Sequence, residues 1–196
     1  HTKQLFELLK QAKRVVIEDG ITAIGYDAFS GRWDYSVYPY VHDDYSNIQE
    51  ISLPDSLTRI SVYAFKGTAI SSICIPANVA EISYSTFAGC NQLTDISFGN
   101  GSNYKSQDGA ILDQQGETLV YIFHAGSYTI PNGVKTIASK ALCKPGLTSV
   151  TIPKSVDTLE GCAAWGSGSL TTVTFEDPSS TVFFGQEVFA RCTALS

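Results

Sequence analysis

Apolar and polar positions along this chain follow one recurring pattern. Two apolar residues flank a middle one, and Pro closes them in four copies where Glu18 and Glu176 stand in two others. An apolar residue follows three places on, an Ile or Leu three places after that, and a bulky apolar residue five places later. The pattern reads as VVIEDGITAIGYDAF (15–29), ISLPDSLTRISVYAF (51–65), ICIPANVAEISYSTF (73–87), YTIPNGVKTIASKAL (128–142) and VTIPKSVDTLEGCAAW (150–165, one residue longer). A looser copy is VTFEDPSSTVFFGQEVF (173–189), and the spacing is 22 or 23 residues apart from two longer intervals. Self-similarity at this period predicts a solenoid, because one such unit is too small to bury its own apolar face and must stack on its neighbours.

Within each repeat the alternation has the two-residue period of a strand. Val15/Ile17, Ile51/Leu53, Ile73/Ile75, Ile96/Phe98, Tyr128/Ile130, Val150/Ile152 and Val173/Phe175 are expected to point inward as two stacked columns. Pro54, Pro76, Pro131 and Pro153 end their strands, since Pro lacks the N–H a ladder needs. The next inward residues are Ile24, Ile60, Ile82, Ile137 and Leu159, and the coil is expected to close on Phe29, Phe65, Phe87, Leu142 or Trp165. Residues 2–13 place Leu5, Leu8, Leu9 and Ala12 on one helical stripe behind a possible Thr2 N-cap, the mark of a helix that covers the open end of the first repeat.

Two stretches break the period. Residues 98–127 hold a degenerate repeat in which Ala110–Leu112 and Thr118–Tyr121 read as a β-hairpin around Asp113-Gln114-Gln115-Gly116. Residues 30–47 carry an insertion of about 13 residues, since Phe29 to Ile51 spans 22 residues against 8 for Phe65 to Ile73. The expected organisation is an N-terminal capping helix at 1–14 followed by a repeat array at 15–196, whose last repeat, 190–196, is truncated. Truncation, an initial His1 and the absence of Met make the chain read as a piece of a longer product, and the last coil as its frayed end.

These repeats resemble the BspA-type leucine-rich repeats of bacterial surface proteins. The IP-x-x-V-x-x-I-x-x-x-A-F unit carries the resemblance, Phe87-Ala88-Gly89-Cys90 continues it, and Asn103–Leu112 looks like the family's irregular repeat. The resemblance covers roughly residues 15–195 and implies a secreted or surface-attached product without a common catalytic motif. Some members adhere to matrix proteins such as fibronectin and fibrinogen, or to other bacteria. The fold class expected is a right-handed leucine-rich repeat solenoid, mostly β with short helical turns, an N-terminal capping helix and about seven coils of 22–23 residues.

Bulk chemistry narrows the function. With 43 % hydrophobic and 16 % charged residues and a net charge of −6, the chain lacks the basic stripe that nucleic acid demands. The same charge disfavours anionic lipid, and no run reaches the roughly 20 apolar residues of a membrane span. Five cysteines without a C-x-x-C pair give neither a zinc nor a redox motif. Cys90 and Cys192 share a repeat position and are expected to form a ladder of small buried thiols, whereas Cys74 falls on the outward face of its strand. His1, His42 and His124 lie at no metal-ligand spacing, and Gly99-Asn100-Gly101 belongs to no phosphate loop. No catalytic, metal or cofactor site is expected.

Two surfaces are candidates for binding. Alternation puts Ser52, Cys74, Ser97, Thr129, Thr151 and Thr174 in one outward column of the sheet and Glu50, Ser72, Asp95, Ser127, Ser149 and Thr172 in another. Such hydroxyls suit either a partner held by many weak hydrogen bonds or plain solvation. The insertion concentrates Trp33, Tyr35, Tyr38, Tyr40 and Tyr45 beside Arg32, Asp34, His42, Asp43 and Asp44. Rings with polar handles supply contact area at low rotamer cost, as in binding loops, and stacked rings flanked by carboxylates also suit sugars. Packing of these rings onto the first coils is the competing reading. The expectation is a non-catalytic, extracellular adhesion module for a host protein or glycan, against the alternative of a passive spacer.

Overall fold

The computed structural model describes residues 8–30, 32–34, 41–43, 47–177 and 181–196. The chain divides into two compact units, His1–Ser102 and Asn103–Ser196, each with its own parallel ladders.

The first unit contains β1 (Arg14–Val16), β2 (Ala23–Ile24), β3 (Arg32–Asp34), β4 (Val41–Asp43), β5 (Glu50–Ser52), β6 (Arg59–Ile60), β7 (Ser72–Ile75) and β8 (Asp95–Phe98). Equivalent strands of successive repeats pair in parallel: β1 with β5, β7 with β8, and β2 with β6. Of the expected columns, Ile51, Ile73, Ile75 and Ile96 from the strands and Ile24, Ile60 and Ile82 from the return segment are buried, while Val15, Ile17, Leu53 and Phe98 are half-buried. Full burial of one such side chain contributes about 1.5–3 kcal/mol. The Pro that ends each strand also starts its turn, its carbonyl accepting from Leu57 N and Val79 N three residues on. A further buried column was not anticipated: Ile48, Ile70 and Leu93 stand two residues ahead of their strands. Ile48 thereby marks where the repeat resumes after the insertion.

The corner beyond each return segment uses left-handed backbone. Asp27 (φ 55°) and Tyr63 (φ 61°) each lie three residues past the inward Ile. A non-glycine residue there is disfavoured by roughly 1–2 kcal/mol. The cost is offset by coil-to-coil hydrogen bonds, Asp27 N to Val62 O and Phe29 N to Ala64 O among them. The repeat at 82–87 instead turns through a 3-10 helix, Tyr84–Phe87, with Ser83 as its N-cap. Phe29, Phe65 and Phe87 close the corner as stacked rings 5.9 and 5.8 Å apart.

Residues 8–11 are helical, but Leu8 is 69 % exposed while Leu9 and Ala12 are half-buried. Leu8 therefore does not join an inward stripe with them. Thr2 and Leu5 lie outside the described residues.

The second unit contains β9 (Tyr104–Gln107), β10 (Ala110–Asp113), β11 (Thr118–Ile122), β12 (Gly126–Thr129), β13 (Thr136–Ile137), β14 (Leu147–Ile152), β15 (Thr158–Leu159), β16 (Thr172–Phe175) and β17 (Phe183–Phe184). One parallel sheet runs β12-β14-β16, and a six-stranded sheet runs β17-β15-β13-β11-β10-β9. The expected hairpin is β10–β11, with Asp113 Oδ1 accepting from Glu117 N (2.7 Å) and Thr118 N (3.0 Å) to hold its turn. The antiparallel strand β9 extends it into a meander through Asp108 (φ 51°) and Gly109 (φ 86°). Asp-Gly at two left-handed positions is the chemistry a tight two-residue hairpin selects.

One closing residue differs from expectation. Trp165 does not close its coil; the buried Ala164 does, its N–H donating to Val188 O as Leu142 N donates to Ala163 O. Ala164 stands five residues past Leu159, the interval that separates Ile60 from Phe65. Backbone register decides the inward position, and the large ring falls one place outside it.

Candidate interaction surfaces

On the first unit, all the outward strand positions face solvent: Glu50 and Ser52 on β5, Ser72 and Cys74 on β7, Asp95 and Ser97 on β8. Register sets Ser72 beside Asp95 and Cys74 beside Ser97. Glu50 lies in register with Arg14, whose Nε is 3.4 Å from Glu50 Oε2 across two well-exposed side chains. On the second unit, Thr129, Thr151 and Thr174 align on β12, β14 and β16, as do Ser127, Ser149 and Thr172. Ser127 and Ser149 share a 2.6 Å hydroxyl–hydroxyl bond, so part of this face is satisfied from coil to coil.

The insertion forms a hairpin of its own. β3 pairs antiparallel with β4, opposing Arg32 to Asp43, Trp33 to His42 and Asp34 to Val41, and among the described residues neither strand joins a repeat ladder. Tyr35, Tyr38, Tyr40, Asp44 and Tyr45 lie outside the described residues.

Two aromatic clusters at the coil corners went unread in the sequence. In the first unit Tyr26, 66 % exposed, meets Tyr63 edge to face at 5.8 Å, and Lys66 Nζ lies 5.1 Å from the Tyr63 ring centroid. The Asp27 carboxylate, then desolvation, then Tyr63 push the Tyr26 phenol above its ordinary value. In the second unit Lys140 Nζ and the Arg191 guanidinium carbon lie 3.6 and 4.9 Å from the Trp165 ring centroid. Lys140 and Arg191 both have left-handed backbone (φ 62° and 59°). The available signal was positional, since Tyr63 and Lys140 both fall three residues past an inward Ile.

Three of the five cysteines, Cys90, Cys143 and Cys192, are hydrogen-bond donors to backbone carbonyls. Cys90 Sγ donates to Phe65 O at 3.0 Å and Cys192 Sγ to Ala164 O at 3.1 Å. Thr68 and Ser167 fill the same repeat position and donate to Phe65 O and Leu142 O. This column is therefore a hydrogen-bonding ladder of thiols and hydroxyls, which explains why small polar side chains recur in it. Burial pushes the thiols of Cys143 and Cys192 upward, keeping them protonated as donation requires. Cys74 is exposed as expected. Among the described residues, no helix is long and apolar enough to cross a membrane and no group of His, Cys, Asp and Glu is arranged to hold a metal ion.

Parallel ladders repeating every 22 or 23 residues, with almost no helix, define a leucine-rich repeat protein. The chain belongs to the BspA type leucine rich repeat region family, six copies of which match residues 2–111 and 120–196. Repeats of this class serve as protein-interaction modules and define no catalytic family. A leucine rich cell surface protein from Faecalibacterium prausnitzii A2-165 is similar in structure, with 27 % identity and a TM-score of 0.67 over 98 % of this chain and 48 % of that one. The chain thus spans about half the length of that relative. The T. pallidum leucine rich repeat protein matches at 25 % identity and a TM-score of 0.52, over 95 % of this chain and 79 % of its own. A leucine-rich repeat protein from Eubacterium ventriosum, at 16 % identity and a TM-score of 0.56 over 94 % of this chain and 59 % of its own, shares the fold. Curated protein sequences include no match.

Proposed function

We propose that the chain is a non-catalytic, extracellular interaction module that presents its insertion to a host protein or glycan. The observation that carries this reading is the β3–β4 hairpin, which among the described residues pairs only with itself. A two-stranded hairpin is marginal alone in water, so a hairpin outside the ladders adds little to the array and suits a display role. Trp33 and Asp34 belong to it, and Tyr35, Tyr38, Tyr40 and Tyr45 follow in the same insertion. In this reading they are the ligand anchors, and the sheet positions Glu50, Ser52, Ser72, Asp95, Ser97, Thr129 and Thr151 are a secondary surface. The name of the F. prausnitzii relative supports placement at the cell surface. The helical turn at 8–11 belongs to a segment that caps the first repeat.

A spacer role is favoured by one observation. The Ser127–Ser149 bond and the Arg14–Glu50 pair leave part of the sheet face occupied with itself. Binding of the intact chain, and of a variant lacking residues 32–43, to an array of matrix proteins and glycans separates the two. Binding lost in a variant that keeps its circular dichroism places the ligand on the insertion. Equal binding moves it to the sheet or the corners, and no binding by either protein supports the spacer.

A further inference from the structure

We propose that the Tyr26–Tyr63 corner of the first unit is a docking site for an arginine- or lysine-bearing segment of a protein partner. This rests on the interaction-module reading and adds a further site and a partner chemistry to it. The two rings stand at 80° to each other, forming two walls of an open aromatic corner, and Tyr26 leaves most of its surface to solvent. Such walls attract cations through the negative faces of their rings, and Lys66 already occupies the Tyr63 side.

The second observation is Asp27. Its Oδ1 is buried without a hydrogen-bond partner among the described residues, and its carboxylate forms no ion pair there. The half-buried carboxylate thus keeps a negative charge beside the rings, and a cation seated on them is attracted to it through space. The surrounding charge has the matching sign, since residues 1–102 carry eleven acidic against seven basic side chains. A guanidinium suits this corner better than an ammonium, because it stacks on a ring while still offering donors at its edge. An anionic or sulfated ligand would meet the same carboxylate as a repulsion.

The test is calorimetric titration, at about 0.15 M salt to screen diffuse attraction, with an acetylated and amidated Gly-Arg-Arg-Gly-Arg-Arg peptide. Its glutamate counterpart serves as control. The intact chain binds the arginine peptide only. Tyr26→Ala, at an exposed position and without change of charge, weakens binding by roughly 3- to 20-fold. Asp27→Asn, which keeps left-handed backbone accessible, weakens it similarly, while Lys66→Glu tightens it by removing a competing cation. Failure of the intact chain to bind the arginine peptide overturns the site, as does unchanged affinity in Tyr26→Ala. Capture of a matrix protein by a chain that ignores the arginine peptide removes this partner class while leaving the module reading intact.

Discussion

Replacing Phe65 tests whether the stacked corner holds the first unit together. Phe65 is 0 % exposed and lies between Phe29 and Phe87 at 5.9 and 5.8 Å, with interplanar angles of 17° and 25°. Its N–H donates to Thr86 O, so the backbone is pinned to the next coil and cannot collapse into a void. Phe→Ala in a core costs about 3–5 kcal/mol, rising with the volume left empty. Each aromatic pair adds about 0.5–1.5 kcal/mol beyond burial. Two lost pairs and a pinned backbone place Phe65→Ala near ~4–5 kcal/mol, whereas Phe65→Leu keeps most of the volume and should cost about 1–2 kcal/mol. Urea unfolding followed by far-UV circular dichroism measures both, with an unchanged slope showing that the difference lies in stability. A cost below about 1 kcal/mol for Phe65→Ala, or equal costs for Ala and Leu, would refute the assignment of Phe65 to a packed column.

Other expectations follow from single contacts. Trp165→Ala should cost only about 1–2 kcal/mol, because the ring lies outside the core and loses two cation contacts. Lys140→Ala and Arg191→Ala should each shift Trp165 emission, read in a Trp33→Phe background. Gly185→Ala should destabilise by about 1–3 kcal/mol, since its new methyl meets the backbone of Glu160 and Gly161, which cannot rotate away. Gly161→Ala, meeting Gln186 O at 3.3 Å, should cost less in the same denaturation assay. Burial, and then Asp108, push the Tyr128 phenol up to about 12 from an ordinary 10.0. The fold favours the protonated form, so this contribution is complete below pH 10 and lost as pH rises toward 12. Absorbance at about 295 nm should show a late-titrating component that falls by one tyrosine in Tyr128→Phe.

The sequence by itself determined the repeat, most of the inward strand columns and the hairpin β10–β11, because period-two alternation and Pro or Gly punctuation are local physics. It also placed Cys74 outside, by alternation alone. It misassigned Trp165, because a large apolar residue near the end of a repeat looks like its closing residue, and only coil-to-coil hydrogen bonding counts the register. It passed over Ile48, Ile70 and Leu93, whose alignment becomes plain once the strand starts are known. Tyr26 and Tyr63 lie far apart in sequence, and Lys140, Trp165 and Arg191 come from three successive repeats. No local pattern pairs such residues. Stacking one coil on the next brings them together, so the tertiary structure decided which exposed rings meet and which cations cover them.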